Sequence, residues 1–231
     1  MPGNFQAAQV DMQRFLLVHL KSKFFNVRRY APQAVDVLDV GVANRSVWEM
    51  KQVLPGCRYH GIDRDDVGNA GELSMMQRFT RMDLEQDPLA SAEQSAYDLV
   101  VINHVLEHIT NGLDVVHHAV ACLRPGGVLY LEVPNVLSVS RAASRFNYHF
   151  HDDPTHKRLY SREDLCNAVL NAGGKIVECG AAGTPLKTLL SLPRALLALL
   201  RGLPVGHFFV HGRGAITYLV AQLPPVAPNR P

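Results

Sequence analysis

The stretch Val35-Asp-Val-Leu-Asp-Val-Gly-Val-Ala-Asn-Arg45 decides how this chain folds. Its apolar, β-branched run of Val35, Val37, Leu38 and Val40 suits a short strand covered on both faces. Gly41 then permits a sharp turn and a close backbone approach to a ligand, which Ala43 keeps nearly as open. Ser46 to Leu54 follows as a helix closed by Pro55-Gly56. A dinucleotide fingerprint would place glycines at Ala43 and Ser46. The discriminating residue is Asp39, two places before Gly41. A carboxylate there suits a cationic or hydroxyl-bearing ligand and sits badly beneath a pyrophosphate, which argues against a nicotinamide oxidoreductase.

The totals narrow the function classes. A chain of 231 residues, 47% hydrophobic, is long enough for one well-buried domain, 1–231. A net charge of +2 gives no basic footprint for nucleic acid. Cys57, Cys122, Cys166 and Cys179 are scattered, so neither a disulfide framework nor a thiolate zinc site is expected, and a reducing cytoplasm is the default. No apolar segment reaches the ~18 residues of a membrane span. Asp11, Arg14, His19 and Lys21 interrupt any secretory leader.

Further along, Arg58 to Asp63 reads as a second strand ending in an acid, Gln77 to Leu84 as a third, and Tyr97 to Asn103 as a fourth. Residues 111–123 read as a helix, and Arg124-Pro-Gly-Gly127 as a turn opening a fifth strand, Val128 to Val133. In open α/β sheets ligands collect outside the carboxyl ends of the strands, where Asp39, Asp63, Asp83, Asn103 and His104 all fall. An acid ending the second strand accepts hydrogen bonds from ribose hydroxyls in such sheets, the alternative being a loop cap. Asp83 can equally cap the turn through Asp87-Pro88. His104 and His108 are four apart with Glu107 near, but the order is not His-Glu-x-x-His, and no metal ligands are assigned.

Asp39-x-Gly41-x-Ala43, Asp83-Leu84, the run Asn103-His-Val-Leu-Glu-His108 and Leu123-Arg-Pro-Gly-Gly127 occur in an order and spacing that resembles class I S-adenosylmethionine-dependent methyltransferases. The resemblance covers Val35 to Val133 tightly and Ala215 to Leu223 loosely. It implies a Rossmann-like, doubly wound seven-stranded α/β sheet in the order 3-2-1-4-5-7-6, the last strand antiparallel, with helices on both faces. It also implies S-adenosyl-L-methionine as cofactor. Asp39, Gly41 and Ala43 would hold its methionyl end, Asp63 the ribose, and Asp83 with Leu84 the adenine. Asn103 and His104 would line the floor near the sulfonium. Ala43 and Arg45 depart from the family's glycines, Arg45 adding bulk and charge close to the cofactor.

Residues 134–158 form an acceptor-side insertion holding Arg141, Arg145, Tyr148, His149, His151, Asp152, Asp153 and His156. By the same likeness this loop lies over the methyl acceptor. His156 is the expected general base for a hydroxyl, assisted by His151 or Asp153; the alternatives are a loop bonded to itself or a structural ion. Ser161 with Asp164 starts the next helix, and Lys175 to Gly180 is the sixth strand. Within residues 184–214, Ser191 and Pro193 mark a helix start and Gly202 its end. Leu192, Leu196, Leu197, Leu199 and Leu200 share one arc with Arg194 and Arg201 opposite, which suits a core cap, a subunit contact or a membrane surface.

The N-terminal residues 1–30 read as a helical lid over the ligand cleft or a helix packed on the domain edge, with Phe5, Ala8, Met12, Phe15, Leu16, Leu20 and Phe24 at helical spacing in one helix to Phe25. The tail 224–231 is proline-rich and loose. The expected function is methyl transfer to oxygen of a small molecule or glycan in the cytoplasm, with peripheral membrane contact an option. The alternative is a non-catalytic cofactor-binding or partner-binding module on the same fold.

Overall fold

Parallel strands buried on both faces dictate the centre of the molecule. The computed structural model describes residues 3–66, 69–139, 149–202 and 214–225. Strands β1 (Asp36–Val40), β2 (Arg58–Asp63), β3 (Arg78–Arg81), β4 (Tyr97–Asn103), β5 (Leu123–Pro134), β6 (Lys175–Ala181) and β7 (Ile216–Gln222) form one sheet. Their order is β3-β2-β1-β4-β5-β7-β6. The first five run parallel, and β7 is antiparallel to both β5 and β6, as expected.

Side chains alternate across a strand, so neighbours in β1 serve opposite cores. Leu38 and Val40 join Val100, Ile102 and Leu131 beneath helices α5 (Gly112–Cys122) and α6 (Arg162–Asn171), which contribute Val116 and Leu165. Val37 joins Tyr59, Leu99 and Tyr130 beneath α2 (Ser22–Tyr30) and α3 (Ser46–Val53), which contribute Phe24 and Met50. The short α4 (Ala70–Met75) is capped by the Asn69 side chain, and α6 by a reciprocal capping box of Ser161 and Asp164.

Several boundaries differ from the sequence reading. The N-terminal helix is two, α1 (Gly3–Leu20) and α2, because Lys21 adopts an extended conformation between them. Among the described side chains of α1, Leu17 is the buried one, while Met12, Phe15 and Leu16 are exposed; the side chains of Phe5 and Ala8 lie outside the described residues. The third strand ends at Arg81, which leaves Asp83 in the following loop. The Arg124–Gly127 turn lies inside β5 as an irregularity: Tyr97 pairs with Leu123, and regular pairing resumes at Leu99 with Val128. The late helix, α7 (Pro185–Leu200), starts at Pro185 and contains Pro193. Proline fits the first turn, where its missing N–H has no helical partner to lose. The core-cap reading of α7 fails, because Leu192, Leu196, Leu197, Leu199 and Leu200 are all exposed. Arg194, Arg141, Arg145 and Tyr148 lie outside the described side chains.

Gly41 has φ +79°, and a Cβ there would lie 2.1 Å from Val105 Cγ2. The close approach read from the sequence is therefore to the chain's own β4 turn first. Gly41→Ala is expected to destabilise the fold by roughly 2–5 kcal/mol in urea unfolding, from strain plus overpacking. Gly56→Ala, where nothing lies within 4 Å, should change stability by less than about 0.5 kcal/mol.

His60 is buried on β2, with Nδ1 2.5 Å from the Tyr97 hydroxyl and Nε2 2.8 Å from Thr80 Oγ1. Burial, with the nearby Arg78 charge, lowers its pKa from 6.5 to about 4. The unfolded chain therefore takes up a proton that the folded one refuses between those values. Stability from the neutral ring is complete above pH 6.5 and is lost as pH falls toward 4. The slope reaches about 1.4 kcal/mol per pH unit. Urea unfolding at pH 7, 6 and 5 should show a shallower loss in His60→Gln than in the wild type.

Candidate functional site

The carboxyl ends of β1, β2 and β4, and the loop after β3, open onto one cleft of about 680 Å³. Gly41 and Ala43, Asp63, Asp83 and Leu84, and Asn103 and His104 all line it, together with Val105, His108, Thr155 and Lys157. A smaller cavity of about 330 Å³ shares Ala43, Asn103 and His104, and is closed by Leu20 to Phe24 and by Glu132. The two spaces meet at Ala43, Asn103 and His104.

Of the residues singled out in the sequence, Asp39 alone among the cofactor set lies off the walls of both spaces. It falls on the α2–α3 face of β1, where it is 1% exposed. Its Oδ2 accepts from the Tyr59 hydroxyl at 2.7 Å and from Lys23 Nζ at 3.4 Å. Burial, reinforced by Asp39's charge, raises the Tyr59 pKa well above its ordinary value. Asp63 Oδ1 accepts from the Asp65 N–H, and Asp83 Oδ1 from the Glu85 N–H, so each acid also shapes its own loop. Arg45 lines neither space: its φ is +68°, its N–H donates to Glu72 Oε1 at 2.8 Å, and its guanidinium lies over Trp48.

His104 and His108 do not share a helix face. His104, the first residue after β4, has φ +57°, and a single 3-10 turn, Leu106–His108, follows. The His104 N–H donates to the Glu132 carbonyl, its Nδ1 lies 3.2 Å from Glu107 Oε1, and its Nε2 lies 3.9 Å from Glu132 Oε2. Burial disfavours its charged form, but the hydrogen bond and charge of Glu107, with the charge of Glu132, outweigh burial and the opposing Lys23 charge. The net effect is a raised pKa. Tyr130 donates to Glu132 Oε1 at 2.5 Å, and burial with that carboxylate's charge raises the phenol's pKa far above normal. Asn103 Oδ1 and Glu107 Oε2 are buried without a hydrogen-bond partner among the described residues.

His156 lines neither space; it packs between Phe150 and His108, with ring centroids 4.5 and 4.7 Å away. Its Nδ1 lies 2.6 Å from the Phe150 carbonyl, and a carbonyl only accepts, so Nδ1 carries the proton and Nε2 the lone pair. Asp153 Oδ2 is 3.8 Å from Nε2, while Asp153 Oδ1 accepts from the Thr155 N–H and hydroxyl. Those bonds hold the Asp153 pKa below its ordinary value. His151 is exposed and contacts the loop through its N–H to His149 Nδ1 and through the Phe150 ring.

Sequence reasoning missed Lys23 and Glu132. Glu132 had a signal, a lone acid in the apolar run of β5; Lys23 had none, because its role depends on how α2 crosses β1.

The sequence profile of the "Methyltransferase domain" family matches residues 10–178. The chain belongs to the class I S-adenosylmethionine-dependent methyltransferase family. No curated protein sequence matches this methyltransferase significantly. Solved structures share its fold at low identity. A chain from the complex of the Haloferax volcanii Trm112 methyltransferase activator with a putative methyltransferase superposes with TM-score 0.62 at 14% identity, covering 92% of this chain and 97% of that one. An Archaeoglobus fulgidus S-adenosylmethionine-dependent methyltransferase gives 0.56 at 17%, covering 87% and 92%. The N-methyltransferase NodS from Bradyrhizobium japonicum, crystallised with S-adenosylhomocysteine, gives 0.54 at 16%, covering 88% and 85%.

The residues present fit the family's cofactor. Asp63 and Asp83, with Asp65, Glu85 and apolar Met82, Leu84 and Ile109, line the larger cleft, a mixture that suits a nucleoside. The orphaned Asn103 oxygen, on a residue common to both spaces, suits a donor such as an ammonium group.

Proposed function

We propose that the chain transfers a methyl group from S-adenosyl-L-methionine to an oxygen of a small-molecule or glycan acceptor. The observation that carries the reading is the meeting of two spaces at Ala43, Asn103 and His104, one suited to a nucleoside and one to an acceptor. When bound, the cofactor supplies a methyl group already activated on a sulfonium. The protein's task is then to orient both partners and exclude water. Asp63 receives the ribose hydroxyls, Asp83 and Leu84 the adenine, and Gly41, Ala43 and Asn103 the methionyl end. Asp39 acts from beneath by holding Lys23. Helix α2, which supplies the wall from Ser22 to Phe24, is the lid over the acceptor cavity. His156, His151 and Asp153, the expected acceptor-side groups, line neither space and take no part in this reading of the acceptor cavity.

The smaller cavity carries Lys23, Glu49 and Glu132 in its walls, which suits a polar acceptor. Calorimetric titration with S-adenosylmethionine and S-adenosylhomocysteine is expected to show micromolar binding that falls at least tenfold in Asp63→Ala. Absence of binding to either compound sinks the reading. Binding without methyl consumption across sugars and other hydroxyl acceptors would favour the non-catalytic module.

A second surface reading rests on α7. Its leucines, from 45% exposed at Leu192 to 77% at Leu200, lie with α1, where Met12 and Phe15 are also exposed. No described helix is long and apolar enough to cross a membrane. This face makes a peripheral contact with an anionic lipid surface, Arg201 adding charge at its end. Cosedimentation with anionic vesicles should be lost in Leu196→Glu/Leu200→Glu. Concentration-dependent dimerisation without vesicle binding would overturn the lipid reading in favour of a subunit contact.

A further inference from the structure

Two adjacent side chains and a third from a distant loop converge beside the larger cleft, which His108 lines. Glu107 and His108 sit on the turn after β4, and His156 on the loop before α6. Each offers one ligand atom, and those atoms all lie within 4.8 Å of one another. The turn and the loop are stitched together by main chain: the Glu107 carbonyl accepts from the Lys157 N–H at 2.8 Å and from the Arg158 N–H at 3.2 Å.

The tautomers are set by hydrogen bonds. In His156, Nδ1–H is spent on the Phe150 carbonyl, which leaves the Nε2 lone pair. In His108, Nδ1 lies 2.8 Å from Thr155 Oγ1, and that hydroxyl's own proton goes to Asp153 Oδ1 at 2.6 Å. Thr155 Oγ1 therefore accepts from His108, whose lone pair also rests on Nε2. Two imidazoles thus present Nε2 while hydrogen-bonded partners fix Nδ1, which is the arrangement that orients histidines on metals. The carboxylate of Glu107 is 1% exposed; Oε1 is engaged by His104, and Oε2 has no hydrogen-bond partner among the described residues. A buried carboxylate oxygen left bare is costly, so the unpartnered Oε2 is a second, independent sign that points to a cation. Lys157 Nζ, on the same loop as His156, is engaged by Glu85.

We propose that Glu107, His108 and His156 bind a divalent first-row transition-metal cation, with Zn²⁺ the best-suited ion. Two imidazole nitrogens and one carboxylate match zinc and its first-row neighbours, and suit magnesium or calcium poorly. The three atoms must draw closer by side-chain rotation to reach zinc bond lengths of about 2.0–2.2 Å. Asp153, whose Oδ2 lies 3.8 Å from His156 Nε2, stands ready beside the cluster. Three protein ligands leave a coordination position for water or another oxygen. Because His108 lines the larger cleft, that position belongs to its wall. Ion binding does not rest on the reading proposed above, which places the acceptor in the smaller cavity.

The test uses tag-free, full-length protein stripped with chelator, titrated calorimetrically with ZnCl₂ and, separately, with Co²⁺ followed by its visible ligand-field bands. One equivalent is expected to bind, with the band intensity of a low-symmetry nitrogen–oxygen site. Affinity should fall tenfold or more in His156→Ala and Glu107→Gln, and about 10–100-fold in Thr155→Val, which removes only the group orienting His108. His117→Ala, on the exposed face of α5, should leave binding unchanged. Absence of stoichiometric binding overturns the proposal, and so does binding that survives both His156→Ala and Thr155→Val in protein whose circular dichroism is that of the wild type. S-adenosylhomocysteine titration of the same stripped protein separates the outcomes: a site that takes the nucleoside but no metal refutes the ion alone.

Discussion

Two strand ends compete for one volume. Where β1 leaves the sheet, the next residue has no side chain, and the space a Cβ would fill is taken by Val105 from the turn after β4. That single fit lets two neighbouring parallel strands end side by side with their turns interlocked. Everything at the carboxyl edge follows from it: Ala43 can face the cleft, His104 is held at φ +57°, and the turn Leu106–His108 is presented beside the loop of residues 149–160. The floor is therefore set by steric exclusion between main-chain turns before any polar group is placed.

On that floor the protein has removed several charges from water and matched them in pairs. Asp39 meets Lys23 and Tyr59; Glu132 meets Tyr130 and His104; His104 meets Glu107. Lone buried carboxylates would be costly, and their partners come from elements that no local pattern joins. Helix α2 contributes twice, through Lys23 and through Ser22, whose hydroxyl lies 3.2 Å from that of Tyr130. An N-terminal helix thereby becomes part of the site's electrostatics.

Much of the sheet was legible because a parallel α/β sheet writes itself in local signals. Arg58 to Asp63 and Tyr97 to Asn103 were read with their observed bounds, since the first runs from the Pro55-Gly56 turn to a closing acid and the second is a mainly apolar run broken by a polar residue at its end. Ser161 and Asp164 announced α6 through their spacing. What was not legible depends on three-dimensional juxtaposition. The direction of Asp39 follows from which face of β1 is odd-numbered, a fact without meaning until α2 is placed. The leucines of α7 carry the same periodicity whether they face the core or solvent, and Pro193 reads as a helix start although Pro185 is the one in the first turn. His156 was read with its loop neighbours His151 and Asp153, because Glu107 and His108, which the fold brings to it, precede β5 in the chain.

Tyr160 adds a mechanical asymmetry. Its hydroxyl donates to the Ile109 carbonyl at 2.8 Å and accepts from the Gly112 N–H at 2.9 Å, one phenol pinning the last part of the loop to the start of α5. With the Glu107 main-chain bonds, it makes the His108–His156 side of the edge one stiff body. The opposite side is closed by α2, attached to this edge mainly by side chains. The molecule thus resembles a vice with one fixed jaw, and any breathing that admits a bulky guest has to come from the helical jaw.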